Sequence, residues 1–512
     1  MIDVLVLVVV VAASLVAALR WLRVAQREHY VAGRTTRIAS VWLSRSVPDL
    51  VFAVAAVALG LAALVPALAV LGASAAVLGA VVPLGLGVRG RTSRLGWTGR
   101  LRRLAVCWLL IVATLGVGLY LVAGPGATGL IAVTVPLTID AALAVMEVVE
   151  RRLSAPFVTA AQRRLTRVRP QVVAITGSYG KTTTKGYVAH LLAGSRAVVA
   201  SPASFNNRLG LSRAVNDHLA DGTEVFVAEM GTFGPGEIRE LCRLFRPDVA
   251  VITTIGEAHL ERMRSRETIL AAKSEITEQA SVVVLPIDDP DLAALAERRA
   301  AQGARVIRCS VVEQAGDSPA DRADVLVDLV AGTVRVADQE VPVGSGVAHG
   351  VNLAVAVGVA VALDVEPAAL ARRLDALPRA AHRAEVHDGP GVAVIDDTYN
   401  ANPVGARAAL AEATAIAERR GGRLVVVSPG IVELGPVQRE RNAEFARAVA
   451  DAGAHLVVVG RTNRPALVDG AHSAGGTTDV VERREQAVEL ATRLAGQDGV
   501  VLYENDLPDH YP

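Results

Sequence analysis

Lysine is nearly missing from this chain. Of 52 Lys and Arg residues only Lys181, Lys185 and Lys273 are lysine. An ammonium is a compact charge whose pKa moves readily on burial, and a guanidinium fork is neither compact nor easily deprotonated. The surviving lysines therefore mark candidate chemistry, and two of the three share one short loop. Cysteine is equally scarce. Cys107, Cys242 and Cys309 lie far apart, which excludes a metal-ligand pair and a disulfide framework and fits a reducing compartment. A net charge of +1, with no strongly basic block in the soluble part, excludes a dedicated nucleic-acid binder. The 512 residues leave room for about three domains at roughly 150 residues each.

Charge is also absent from most of the first third. Ile2 to Trp21 is an almost uncharged run of the ~20 residues that cross a bilayer, without the basic leader and Ala-x-Ala site of a signal peptide, so it reads as an anchor. Leu50 to Val88 is too long for one span, and Pro66 offers the turn of a hairpin. Leu104 to Ala123 and Gly129 to Val149 complete an expectation of about five transmembrane helices within residues 1–150. Arginines fill the connections at 20–45 and 89–103, whereas the turns near Pro66 and Pro125 carry no basic residue. The positive-inside rule then places the N-terminus outside, both arginine connections in the cytoplasm, and everything after Glu150 in the cytoplasm. Asp140, inside the last apolar run, is either a functional carboxylate or one paired with a neighbouring helix. Residues 151–170 are basic and read as a juxtamembrane linker lying on anionic headgroups.

The rest is organised around Val172 to Leu192. An apolar β-branched run ends at a turn containing Gly177 and Gly180, and helix-spaced apolar residues resume at Val188. This is a strand, a phosphate loop and a helix, with Gly177, Ser178 and Gly180 turning backbone N–H groups toward an anion. Lys181, Thr182 and Thr183 open the helix, where they meet phosphates and Mg²⁺. Later strands end in Glu229 and in the loop before His259, and ligands bind at the carboxyl ends of such parallel strands. Lys181, Thr182, Glu229 and His259 are thereby expected on one rim. Arg305 to Val343 reads as antiparallel hairpin structure. From Arg379 a second strand and helix pattern begins, which predicts a smaller Rossmann-like unit. The fold class is thus an α-helical transmembrane region followed by α/β, with a central nucleotide-binding domain at 171–377 and a C-terminal domain at 378–512.

Thr176 to Lys185, Phe205-Asn206-Asn207, Glu229-Met230-Gly231, Ala258-His259-Leu260, Ala272-Lys273 and Asp396 to Pro403 occur together in one order. In these motifs the chain resembles the Mur ligase family of ATP-dependent amide ligases, most like the branch that adds D-alanyl-D-alanine to UDP-N-acetylmuramoyl-tripeptide. The resemblance covers roughly Val172 to Gly435. It implies ATP and Mg²⁺ as cofactors, with Lys181 on the phosphates, Thr182 and Glu229 on one magnesium, and His259 on a second. It further implies that Lys273 carries a carbamate as a metal ligand, that Arg383 reaches the γ-phosphate, and that Asp397 meets the ribose. Asn352 falls in the family's adenine-side element, although Val351 and Val355 replace its histidine and second asparagine. Asn206, Asn207, Tyr399, Asn400 and Asn402 are the substrate-side candidates.

Two departures bear on substrate. Apolar helices stand where the family has its uridine-nucleotide domain, and Glu504-Asn505-Asp506 stands where the branch has Lys-Gly-Ser, so a cation is exchanged for a carboxylate. The expected function is a ligase of the bacterial inner membrane, multi-pass, with cytoplasmic catalytic domains. It would join a carboxylate to an amino acid or small peptide amine in cell-wall (peptidoglycan) synthesis, with a membrane lipid or lipid-linked acceptor as partner. A poly-γ-glutamate-type polymer ligase, and an ATP-dependent membrane regulator or transport partner without ligase activity, remain as alternatives.

Overall fold

The computed structural model describes residues 1–90, 95–202, 205–314, 322–344, 349–378, 385–387, 391–398, 402–507 and 510–512. Helices α1 (Ile2–Arg27), α2 (Arg34–Arg45), α3 (Val47–Ala62), α4 (Leu71–Val81), α5 (Gly99–Ala123), α6 (Leu130–Val133) and α7 (Val135–Val168) build the N-terminal part. By length and apolarity, α1 and α5 can each cross a bilayer. The pairs α2 with α3 and the 125–133 segment with α7 qualify only if each bent pair, turning through 118° and 73°, counts as one span. Among the described residues this gives two candidate spans, or up to four, against the expectation of about five. Hydropathy counts apolar residues, whereas helix length is set by breaks such as Pro66, and the 11-residue α4 is too short to cross alone. The two helices on either side of Pro66, α3 and α4, do pack together. On its other side α4 comes so close to residues 126–129 that a Cβ on Gly72 would meet the Gly126 carbonyl oxygen at 2.1 Å.

Asp140 has the structural role of the two expected ones. Its carboxylate accepts from the Thr36 backbone N–H at 2.8 Å and hydroxyl at 2.6 Å, holding the first turn of α2. Residues 151–168 continue α7 as helix and lie on the central domain, with Ala161 in its core and Arg164 donating to the Leu219 and Asn216 carbonyls.

Strands β1 (Gln171–Thr176), β2 (Val198–Ala200), β3 (Val225–Glu229), β4 (Val249–Ile252), β5 (Val282–Pro286), β6 (Arg305–Val312), β7 (Val325–Asp328), β8 (Thr333–Val336) and β9 (Gln339–Pro342) form one sheet in the order 2-3-1-4-5-6-7-8-9. Pairing is parallel through β7 and antiparallel beyond. The hairpin expected over 305–343 therefore begins only at β7, because β6 joins the parallel array. Both faces of β1 are buried by period-two alternation, as in a covered parallel sheet. Val173 and Ile175 pack toward α8 (Lys181–Leu192) and the helix Gly350–Ala362, while Val172 and Ala174 pack into the opposite layer.

The C-terminal sheet has β10 (Glu385–His387), β11 (Ala393–Asp397), β12 (Leu424–Ser428), β13 (His455–Val459), β14 (Thr478–Val481) and β15 (Val500–Glu504) in the order 10-11-15-12-13-14. All but β10 run parallel. Both parallel sheets thus present carboxyl-end edges on which side chains from separate stretches of chain can meet.

Candidate active site

The loop between β1 and α8 forms because its two glycines tolerate what no other residue would. Gly180 has φ +78°, and a Cβ there would lie 2.0 Å from the Asn352 amide oxygen. Asn352, expected on the adenine side, is buried beneath this loop and accepts from the Thr184 hydroxyl at 3.3 Å. Thr183 is buried at the start of α8. Ser178 donates to the Gly256 carbonyl and accepts from the Gly256 N–H, tying the loop to the segment that follows β4.

Two of the three lysines converge on one oxygen. Lys181 Nζ and Lys273 Nζ donate to the Gly177 carbonyl at 2.8 and 3.0 Å. Lys273 is 2% exposed, and burial, reinforced by the charge of Lys181, drives its pKa well below the ordinary lysine value. An uncharged amine next to a phosphate loop is the form that can add CO₂. The third lysine, Lys185, sits 2.9 Å from Glu229 Oε2 in a buried ion pair, and the Thr182 hydroxyl donates to the same oxygen at 3.0 Å. Burial pushes the Glu229 carboxyl up, but Lys185, then Lys181 and Thr182, more than offset this and keep it ionised.

His259 is positioned differently. Its backbone is left-handed at φ +63° and its ring meets Phe233 edge-on at 5.5 Å. Nδ1 lies 3.0 Å from Glu433 Oε2, in the loop after β12 of the other sheet. Burial lowers the imidazole pKa and outweighs the attraction of Glu433, so the ring is neutral and donates from Nδ1, leaving the Nε2 lone pair for a ligand. Glu433 Oε1 in turn accepts from Arg262 at 2.8 Å and from Arg34 of α2. Burial alone would raise the Glu433 carboxyl; the bond to His259, Arg262 and Arg34 hold it well below the usual carboxylate range. Neighbouring pairs repeat the pattern. Arg37 of α2 grips Glu261, and Arg441 grips Glu257 at 2.7 to 2.9 Å.

Lys181 is the electrostatic neighbour shared by Glu229 and His259. Among the described residues no three His, Cys, Asp or Glu side chains gather as a metal cage. The oxygen pair of Thr182 and Glu229 nevertheless suits Mg²⁺, which takes few protein ligands and completes its shell with phosphate oxygens and water. His259, a nitrogen donor, is the less usual partner.

The remaining candidates are placed as follows. Asn207 Oδ1 and Asn402 Oδ1 cap the helices Arg208–His218 and Pro403–Arg420 by accepting from Gly210 and Gly405, each at 2.9 Å. Asn206 borders Gly231, just past β3. Asp397 ends β11 beside Glu504 on β15. Arg383, Tyr399 and Asn400 lie outside the described residues. Glu504, read in the sequence as a carboxylate in place of the family's cation, is completely buried. Complete burial, with Asp397 adding to it and the Ser428 hydroxyl bond at 2.6 Å opposing it, pushes its carboxyl up to about 8, so at neutral pH it is largely an uncharged acid. Sequence reading missed Glu433 and Arg34, whose meeting depends on segments 399 residues apart. Lys185 was marked by the scarcity of lysine alone, and the structure gives it Glu229 as its partner.

Family models match at residues 175–357, as the Mur ligase middle domain, and at 382–503, as the Mur ligase, glutamate ligase domain. The UDP-N-acetylmuramoyl-tripeptide–D-alanyl-D-alanine ligase of Mycobacterium leprae is 37% identical over 256 residues, covering 47% of this chain and 49% of that protein. The UDP-N-acetylmuramate–L-alanine ligase of Paenarthrobacter aurescens is 31% identical over 345 residues, covering 65% of this chain and 71% of that one. The MurF ligase of Thermotoga maritima, solved in complex with ADP, superposes with a TM-score of 0.54 at 26% identity, covering 69% of this chain and 80% of that structure. The chain thus spans about half the length of the Mycobacterium leprae relative, and residues 1–174 lie outside both family models.

Proposed function

The chain belongs to the Mur ligase family, and from that premise we propose that it is a membrane-anchored, ATP-dependent ligase that joins a carboxylate to an amine through an acyl phosphate, in peptidoglycan-related synthesis. The observation that carries this reading is Lys273. A lysine 2% exposed, bonded to the Gly177 carbonyl at the phosphate loop and with its pKa lowered by burial and by Lys181, suits carbamate formation, which nucleotide binding alone does not require. Its intact presence also disfavours a regulator that only binds ATP.

In the reaction a carboxylate oxygen attacks the γ-phosphorus, the bond to ADP breaks, and the acyl phosphate is then opened by the amine with release of inorganic phosphate. Lys181 and Arg383 counter the charge that would otherwise repel the attacking carboxylate. Magnesium, held by Thr182 and Glu229 and by His259 with the Lys273 carbamate, would supply further charge neutralisation there. Glu433 fixes which nitrogen His259 offers, and the C-terminal sheet, read here as Rossmann-like, excludes water from the acyl phosphate when it is docked.

The arginine asymmetry of the connections between the N-terminal helices supports a location of this machinery at the inner face of a bacterial cell membrane. With those helices where a uridine-nucleotide domain would stand, the acceptor is a membrane lipid or lipid-linked cell-wall precursor. The uncharged Glu504, in place of a lysine, suits an amine other than D-alanyl-D-alanine. The test is a screen of carboxylate and amine pairs for ADP release by the full-length protein in lipid vesicles, followed by mass spectrometry of the product. ADP release that needs both partners supports ligation. ATP hydrolysis indifferent to both favours the regulator, and release driven by glutamate alone favours the polymer ligase.

A further inference from the structure

Two cavities meet where the N-terminal helices face the C-terminal sheet. The first is a groove of about 650 Å³ between α1 and α4, walled by Val9, Ala13, Val16, Val77 and Ala80, with Arg20 at one end. The second is a cleft of about 520 Å³ between the same helical region and the C-terminal domain. They share Leu84, Gly85 and Gly87 as a common wall. That wall is pinned by buried polar contacts, which make it a built feature. Arg20 donates to the Val82 carbonyl at 3.0 Å, Arg23 to the Gly87 carbonyl at 3.1 Å, and the Leu84 N–H donates to Asp49 at 2.6 Å.

The two cavities differ in chemistry in the way the two ends of a lipid differ. The groove is apolar and lies along helices that are apolar on their outer faces. The cleft is lined by five arginines, Arg23, Arg89, Arg461, Arg483 and Arg484, against three carboxylates, Glu482, Glu485 and Asp506. Arg461 is paired with Glu482, and Arg484 with Asp506, and five arginines against three carboxylates leave the cleft net positive, with Arg89 and Arg483 exposed in its lining. The cleft also sits at a carboxyl edge. Pro429 follows β12, Gly460 follows β13, Glu482 follows β14 and Asp506 follows β15, the place where open parallel sheets bind ligands. Guanidinium groups match phosphate oxygens in geometry and charge.

We propose that groove and cleft are one binding site for a lipid with a phosphate-bearing headgroup, its chain along α1 and α4 and its headgroup between Arg89 and Arg483. This rests on the reading of the chain as a membrane-anchored ligase, and it gives that reading's acceptor a location. The site lies next to the loop after β12 that also carries Glu433, so a headgroup bound there borders the catalytic rim.

The test uses the full-length protein in phosphatidylcholine nanodiscs with radiolabelled geranylgeranyl diphosphate as the probe. Inorganic pyrophosphate supplies the headgroup alone and geranylgeraniol the chain alone. Two variants alter exposed lining residues, Val77→Trp to fill the groove and the double change Arg89→Glu with Arg483→Glu to reverse the cleft's charge, and retained ADP binding reports that each is folded. Wild type is expected to retain the probe, each variant to weaken it by about tenfold or more, and neither pyrophosphate nor geranylgeraniol to displace it at equal concentration. Failure of the wild type to retain the probe, equal retention by both variants, or full displacement by pyrophosphate would overturn the site. ADP release with a lipid-linked acceptor separates the two readings. Acceptor-dependent release unchanged in both variants leaves the ligase standing and removes the site; variant-sensitive probe binding without any acceptor-dependent release does the reverse.

Discussion

Glu229, the last residue of β3, and His259, in the segment after β4, lie at the carboxyl ends of strands in one sheet, yet they are held by different parts of the chain. Glu229 is fixed within its own domain by Thr182, Lys185 and, at its backbone N–H, the Ser201 hydroxyl. His259 is fixed from outside, by Glu433 of the C-terminal domain, and Glu433 is itself gripped by Arg34 from the N-terminal helices. The Glu229 half of the rim is therefore preformed within one domain, whereas the His259 half exists only when three regions of the chain are docked. On the proposed function, binding ATP and committing it to reaction become separable steps, with the N-terminal helices taking part in the second.

The strongest break in this comparison is expected at Lys273, which belongs to the preformed half. Lys273→Ala should lower amine-dependent ADP release by about a thousandfold or more, with partial recovery on adding a short carboxylic acid; unimpaired release in the alanine variant would remove the carbamate. The sign of its pH dependence follows from the lowered folded pKa. The folded state binds fewer protons than the unfolded one between that value and the ordinary lysine 10.5, so stability and carbamate formation both decline as pH falls through this window.

Glu229→Ala comes next. It should reduce Mg²⁺-dependent turnover by about a hundredfold or more. It also strands Lys185 in a buried site, where breaking an ion pair costs about 3–5 kcal/mol, visible as a lower melting temperature. An unchanged Mg²⁺ titration would show that the strand end does not face the metal.

Glu433→Gln should be milder and should sharpen the contrast, leaving ADP affinity intact while slowing amine-dependent turnover by about tenfold. Equal losses in both would mean that His259 belongs to the preformed half. Because the folded Glu433 carboxyl lies below its ordinary value of 4.5, its contribution to docking is fully present above that pH and is lost progressively below it. Isotope exchange of amides at the domain junction, followed from pH 7 downward, reports this directly.

The smallest effects are expected at Asn207 and Asn402. As helix caps, their replacement by alanine should cost about 0.5–2 kcal/mol of stability with little change in turnover. A loss of turnover with stability unchanged would instead place them on a substrate.

The legible parts of this molecule were the local ones. Residues 172–192 reveal strand, loop and helix because all three lie in one contiguous stretch whose glycines have no structural substitute. The parallel order of the strand ends follows from the same alternation. The arginines of α2 were legible only as a charge cluster that sets topology. That Arg34 and Arg37 turn toward Glu433 and Glu261 depends on how distant segments dock, which periodicity does not encode. Glu504 misled for a related reason. A carboxylate in sequence is an anion only if the fold leaves it solvated or paired, and complete burial at the end of β15 makes it an acid.

The central claim, ligation through an acyl phosphate, is tested most directly by oxygen tracing. The full-length protein is supplied with ATP, Mg²⁺, the amine and a carboxylate labelled with ¹⁸O in both oxygens, and the inorganic phosphate released is examined by mass spectrometry. Transfer of label from carboxylate to phosphate with each turnover is the predicted result, since the attacking oxygen leaves with phosphorus when the amide forms. Unlabelled phosphate accompanying full consumption of ATP would contradict it.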